Sequence, residues 1–164
     1  MYERIVVPLD GSELAERALT HAEEMARLTG GPIHLVRVID TLHLDRFGVY
    51  GLAVESAAYG QSLDAEERAA REYLATIEHD LGDRGFAVTR EIRRGSVWHE
   101  IAATIEPADL VVMASHGRGG IPRWFLGSVA EDVVRHATAP VLLIRVATMP
   151  AQEAESATTT AAGG

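Results

Sequence analysis

Leu110-Val111-Val112-Met113, followed by Ala114-Ser115-His116-Gly117-Arg118-Gly119-Gly120-Ile121-Pro122-Arg123-Trp124-Phe125-Leu126-Gly127-Ser128, is the stretch from which the fold can be read. Four consecutive apolar residues predict a strand covered on both faces, the habit of a parallel sheet. The chain then enters a loop with four glycines, and an amphipathic stretch opens at Ser128, where Glu131 three residues later completes a capping-box pattern. Strand, glycine loop and helix together make half of a βαβ unit, and the rest of the chain repeats that alternation.

Working outward, Ile5-Val6-Val7-Pro8-Leu9 reads as the first strand and Ile33-His34-Leu35-Val36-Arg37-Val38-Ile39 as the second. Ala87-Val88-Thr89-Arg90-Glu91-Ile92 is the third, more alternating strand, and Val141-Leu142-Leu143-Ile144 the fifth. A first helix starts with Ser12 as N-cap, carries Leu14, Ala18, Ala22 and Met25 at helical spacing, and ends at Gly30-Gly31-Pro32. A second covers about residues 62–81, burying Ala70, Tyr73, Ile77 and Leu81, with Gly82 as its stop. Ser96 caps a third, whose Val97, Ile101 and Ile105 form one stripe before Pro107, and Ser128 begins the fourth. The expectation is an α/β protein, a single-domain open parallel five-stranded sheet with helices on both faces.

Two segments stand outside this scheme. Residues 41–60 are too long for an ordinary structureless connection and read as a lid or an interface. Residues 147–164, rich in Ala and Thr, have nothing to bury and read as a disordered tail after a domain of residues 1–146.

Composition narrows the function. The chain of 164 residues carries 24 acidic against 15 basic side chains, a net charge of −9, which repels nucleic acid and anionic membranes. There is no cysteine, so thiolate chemistry and disulfides are excluded. No apolar run approaches the roughly 20 residues of a membrane helix, and the N-terminus lacks signal-peptide architecture. A cytoplasmic protein without nucleic-acid or membrane partners is expected, and any phosphate ligand must be captured locally.

In an open parallel sheet, ligands bind beyond the carboxyl ends of the strands, where the strand order reverses. Glycine lets backbone N–H groups approach a ligand with no Cβ in the way. The free amides and dipole at a helix start attract anions, so Gly127, Ser128 and Val129 form a candidate phosphate cradle with Arg118 and Arg123 as supplementary charge. The same residues are also compatible with plain turns and a helix cap. The loop lacks the lysine of a G-x-x-x-x-G-K-[ST] phosphate loop, and no G-x-G-x-x-G follows the first strand. Motor-type NTPases and dinucleotide dehydrogenases are therefore disfavoured.

The loop resembles the nucleotide motif of the universal stress protein family in its ATP-binding branch, G-x-x-G, nine residues, then G-[ST]. Gly117, the nine residues Arg118 to Leu126, and Gly127-Ser128 match it, while the first glycine is Ala114. Ile5-Val6-Val7-Pro8-Leu9-Asp10-Gly11-Ser12 and Val36-Arg37-Val38-Ile39-Asp40 also look like family segments, as does the stretch from Leu126 through Ala139-Pro140-Val141-Leu142. The resemblance implies a Rossmann-like adenine-nucleotide fold with strand order 3-2-1-4-5 and a homodimer paired through the last strands. It implies ATP, with magnesium, as ligand. Pro8, Asp10, Val38 and Met113 would border the adenosine; Ala114, Ser115, His116, Gly117, Arg118, Gly119 and Gly120 would wrap ribose and phosphates; Gly127, Ser128 and Val129 would take the terminal phosphates.

Asp10 would be the candidate metal carboxylate, although it is equally suited to a turn with Gly11 and Ser12. His116 either donates to phosphate or fixes the loop. The other histidines show no metal spacing, and no catalytic residue is assigned. The function implied is an ATP-binding regulatory module of the stress response. A slow ATP hydrolase and a nucleotide-free protein acting through dimerisation and protein contacts are the alternatives.

Overall fold

Four runs rich in Val, Ile and Leu, and a more polar fifth carrying Val88 and Ile92, form strands because branched side chains pack well on a pleated surface. In the computed structural model, which describes residues 1–41, 56–117 and 127–147, they are β1 (Arg4–Pro8), β2 (Ile33–Asp40), β3 (Val88–Gly95), β4 (Asp109–Gly117) and β5 (Val141–Ala147). The helices are α1 (Glu13–Thr29), α2 (Ser56–Asp83), α3 (Val97–Thr104) and α4 (Ser128–His136). All strand pairs are parallel and the order is β3-β2-β1-β4-β5, so the direction of winding reverses between β1 and β4.

Alternation along the strands sorts the side chains into two cores. Ile5, Val7, Ile33, Leu35, Leu110 and Val112 meet Ala18 and Ala22 of α1 and Leu74 and Leu81 of α2 on one face. Val6, Val36, Val111 and Met113 meet Ile101 of α3 and Ala130 and Val133 of α4 on the other. Ile5, Val6 and Val7 are consecutive and all 0% exposed, which is possible only for a strand covered on both faces.

The helix ends agree with the sequence in places and depart from it in others. Ser12 caps α1, its Oγ accepting from the Ala15 amide at 3.1 Å, and Gly30 closes it at φ 75°. The second helix starts at Ser56, inside the segment read as lying outside the scheme, and runs past Gly82. Its stop is Gly85 at φ 88°, with the Gly85 amide donating to the Gly82 carbonyl and the Phe86 amide to that of Leu81, at 2.9 and 3.1 Å. That bond pair is a Schellman turn, and it requires the left-handed residue beyond the last helical turn rather than within it.

Ser96 occupies the N-cap position of α3 without a side-chain capping bond. The capping box expected at α4 does not form. Gly127 is the N-cap at φ 84°, Ser128 is the first helical residue, and the Glu131 carboxylate accepts from Arg135 at 2.7 Å. Strand β4 continues through Ala114, Ser115, His116 and Gly117, which pair with Ile144, Arg145, Val146 and Ala147. These four residues were expected in a loop. Strand β3 likewise runs on to Gly95 alongside β2. The lid or interface reading of residues 41–60 falls largely on 42–55, outside the described residues, and the tail reading falls outside them beyond Ala147.

At the amino ends of the strands a buried ionic clamp joins β1 to β4. Arg4 donates to Asp109 through Nε at 3.0 Å and NH2 at 2.7 Å, and to the Thr104 carbonyl at 3.0 Å; Asp109 also accepts from the Glu106 amide at 2.8 Å. It anchors the segment between α3 and β4 from beneath, leaving the carboxyl ends of the strands to shape a site.

Candidate functional site

A cavity of about 450 Å³ opens at the carboxyl ends of β1, β2 and β4, where the winding reverses. That volume suits a small organic ligand. Strand alternation divides its lining in two. On the α3/α4 side, Val36, Val38, Met113 and Ser115 project from the sheet towards Val97 and Ile101 of α3 and Val129 and Ala130 of α4. On the α1/α2 side lie Leu9, Leu14, Ala15, Arg37 and Ala114, with Glu66 of α2. Pro8, Asp10, Asp40, Gly127 and Ser128 complete the lining at the strand ends and the start of α4.

Nine of the residues singled out from the sequence are brought together here: Pro8, Asp10, Val38, Met113, Ala114, Ser115, Gly127, Ser128 and Val129. His116 and Gly117 end β4, opposite Val146 and Ala147. Arg118, Gly119 and Gly120 lie outside the described residues, as do Arg123, Trp124 and Phe125. The sequence did not flag Arg37, Asp40, Glu66, Val97 or Ile101 as lining residues. Val97 and Ile101 were legible as an apolar stripe, but the end of that stripe becomes a pocket wall only once α3 is docked on the sheet.

Asp10 is held in the turn between β1 and α1. Its Oδ1 accepts from the Ser12 amide at 2.9 Å and the Ser12 hydroxyl at 2.6 Å, so the turn role open in the sequence is realised while the residue also lines the cavity. Among the described residues, no group of three or more His, Cys, Asp or Glu side chains is placed to hold a metal ion. Nearby, Tyr73 of α2 donates to Glu16 of α1 at 3.0 Å; burial and then that bond push the phenol's pKa upward, keeping it a neutral donor that ties the two helices.

Two buried side-chain polar atoms have no hydrogen-bond partner among the described residues, Ser115 Oγ and Arg37 Nε. Both residues line this one cavity. Buried polar atoms are normally paired, so two unpaired ones on one cavity lining set this part of the molecule apart. The start of α4 also borders the cavity: its N-cap residue, Gly127, has no side chain to cap the helix, and Gly127 and Ser128 are exposed.

The family model described as Universal stress protein family matches residues 1–145. The chain belongs to the universal stress protein family. Universal stress protein MJ0577 of Methanocaldococcus jannaschii is 31% identical over 155 residues, covering 88% of this chain and 96% of that protein. Its solved structure superposes with a TM-score of 0.72 at 29% identity, covering 89% of this chain and 97% of that one. Universal stress protein G of Escherichia coli O157:H7 is 34% identical over 152 residues, covering 88% of this chain and all (100%) of that protein. The universal stress protein of Archaeoglobus fulgidus solved in complex with dAMP shares the fold, with a TM-score of 0.55 at 23% identity over 87% of this chain and 98% of that one. The β3-β2-β1-β4-β5 sheet is thus the universal stress protein fold, and the cavity occupies its switch point.

Proposed function

We propose that this universal stress protein is a cytoplasmic regulatory module that binds ATP with magnesium in the cavity at the carboxyl ends of β1, β2 and β4. The observation that carries the proposal is Ser115, 4% exposed, whose hydroxyl has no partner among the described residues and which lines the same cavity as the glycine-capped start of α4. The adenine fits the apolar side between Val38 and Met113 of the sheet and Val97 and Ile101 of α3. Ser115 then donates to or accepts from the nucleoside. The amides of Ser128 and Val129, with the helix dipole behind them, take phosphate oxygens, and Gly127 gives the backbone room to approach.

Ala114 bears on the same question. Its methyl group packs with the core on the α1 side, away from the side shared by Met113 and Ser115, so its substitution for the family's glycine leaves the apolar side open. Among the charged lining residues Asp10, Asp40 and Glu66 outnumber Arg37, which favours a magnesium-neutralised triphosphate over the bare anion. When bound, magnesium would supply that neutralisation, with Asp10 as its protein carboxylate. Ligand at 100 times its dissociation constant stabilises the occupied fold by about 2.7 kcal/mol, enough to bias partner recognition or a homodimer paired through β5, the edge strand of the sheet.

The test is calorimetric titration of ATP and magnesium into nucleotide-stripped full chain, alongside Ile101→Trp, which fills the apolar side. Binding in the micromolar range or tighter, weakened at least about tenfold in the variant, is the expected result. Absence of both heat and thermal stabilisation at millimolar ATP would overturn the proposal.

A further inference from the structure

We infer that Arg37 sets the phosphate-chain preference of this site, selecting nucleoside di- and triphosphates over the monophosphate. The inference rests on the nucleotide-binding reading above and goes beyond it by naming the cation that discriminates. Arg37 lies between Val36 and Val38 on β2, and alternation turns it to the α1/α2 side, away from the apolar pocket proposed for the base. Its guanidinium rises to the turn between β1 and α1. NH1 donates to the Leu9 carbonyl at 3.5 Å, the limit of hydrogen-bond range, and a Cβ built on Gly11 would stand 3.5 Å from NH1 and 3.9 Å from Cζ and NH2.

Among the described residues this guanidinium is nearly unused. Of its five N–H donors one makes the long bond to Leu9, and Nε is buried with no acceptor among the described residues. Asp10 and Glu66 line the same cavity, yet neither forms an ion pair with Arg37. Elsewhere the chain pairs its half-buried arginines closely: Arg4 with Asp109 at 2.7 Å and Arg93 with Glu100 at 2.8 Å. The side chain is only part-buried, and among the described residues NH1 and NH2 keep donors whose planar fork matches two oxygens of a phosphate.

Position decides which part of a ligand arrives there. Arg37 sits across the end of β1 from the base pocket, beside the turn that presents Asp10, so the ligand must extend past Pro8 and Asp10 to meet it. A nucleoside or a monophosphate held at the start of α4 stops short. A di- or triphosphate crosses.

The test titrates adenosine, AMP, ADP and ATP, each with magnesium, into the full chain and its Arg37→Met and Arg37→Lys variants. Arg37→Met should lose roughly 10- to 100-fold in affinity for ATP and ADP, the scale of one charged hydrogen-bonding group, with AMP and adenosine changed by less than about threefold. Arg37→Lys, which fits the same space and keeps the charge but loses Nε, should fall between the two, and it carries the test if the methionine variant does not fold. An ATP preference that survives both substitutions overturns the inference while leaving nucleotide binding intact. Equal losses for adenosine and ATP overturn it by making Arg37 a structural support, and a parent that binds none of the four overturns the proposed function itself.

Discussion

Replacing Asp109 by Asn should separate the two ends of the sheet. The Asp109 side chain is 3% exposed and accepts three hydrogen bonds, from Arg4 Nε, Arg4 NH2 and the Glu106 amide, at 3.0, 2.7 and 2.8 Å. The amide removes the charge and turns a donor towards another donor. Breaking one partner out of a buried ion pair costs roughly 3–5 kcal/mol. Arg4 keeps 23% of its side chain in contact with water, which moves the expected loss down to about 2–4 kcal/mol. For a chain of this size that lowers the melting temperature by about 5–15 °C.

The acid limb follows from the same geometry. Burial pushes the Asp109 carboxyl's pKa up, but the Arg4 bond, the Glu106 amide and the charge of Arg4 together outweigh it and hold the group below its ordinary value. A depressed carboxylate stabilises the fold above its unfolded pKa of about 3.9, and that contribution is lost as pH falls through the lower folded value. Asn abolishes this slope. Met113 stands four residues further along β4, about 13 Å away, so ATP affinity below the melting transition should be unchanged. Circular dichroism melts at neutral and acid pH, with calorimetry at 20 °C, read all three quantities. A melting shift below about 2 °C, or an ATP affinity that falls with stability, would refute the reasoning.

Ser115→Ala should have opposite signs in two assays: thermal stability unchanged or raised, because an unpartnered buried hydroxyl is removed, and ATP affinity lowered by roughly three- to tenfold. A fall in stability without loss of affinity would place the hydroxyl's partner inside the protein. Ser12→Ala removes the α1 cap and one partner of Asp10, and should cost about 1 kcal/mol, seen as a melting shift of a few degrees; no shift would show the cap to be dispensable. His34, buried on β2 with Nδ1 2.8 Å from Thr89 Oγ1, has its pKa lowered by burial first and by Arg4 second, against the pull of Glu91. The unfolded histidine takes a proton near pH 6.5 while the folded one resists, so stability is full above that value and falls as pH drops below it. Denaturant titrations at pH 7.5 and 5.5 should show a smaller difference for His34→Gln than for the parent; an equal difference would assign the slope to other groups.

The sheet was legible because β1 and the first half of β4 are continuously apolar, a pattern few other environments produce, and because Ser12 and Gly30 mark the ends of α1 by chemistry specific to helix termini. The continuation of β4 was not. Ser115, His116 and Gly117 look like loop residues in isolation, and only pairing with Arg145, Val146 and Ala147 of β5 makes them strand. Gly82 and Gly85 both follow the apolar face of α2, and the choice between them depends on which one adopts positive φ. At α4 the Ser128–Glu131 spacing imitates a capping box, whereas Gly127 turns the backbone so that Ser128 is already helical.

The site divided along the same line. Gly127-Ser128 at a helix start was found by local chemistry, whereas Asp10 at a strand end was carried by the resemblance, its neighbours Gly11 and Ser12 being equally suited to a plain turn. Arg37 and Glu66 reach the cavity from the middle of an apolar strand and from a long helix, and nothing in their neighbours announces it. They become visible only through the alternation of β2 and the docking of α2.

The measurement that bears most directly on nucleotide binding is a crystal structure of the full chain grown with ATP and magnesium. The account predicts adenine between Val38, Met113 and Ile101, a ligand oxygen within hydrogen-bond distance of Ser115 Oγ, and phosphates at the amides of Ser128 and Val129. Nucleotide bound elsewhere on the chain, or a cavity filled by protein side chains at saturating ATP, would contradict it.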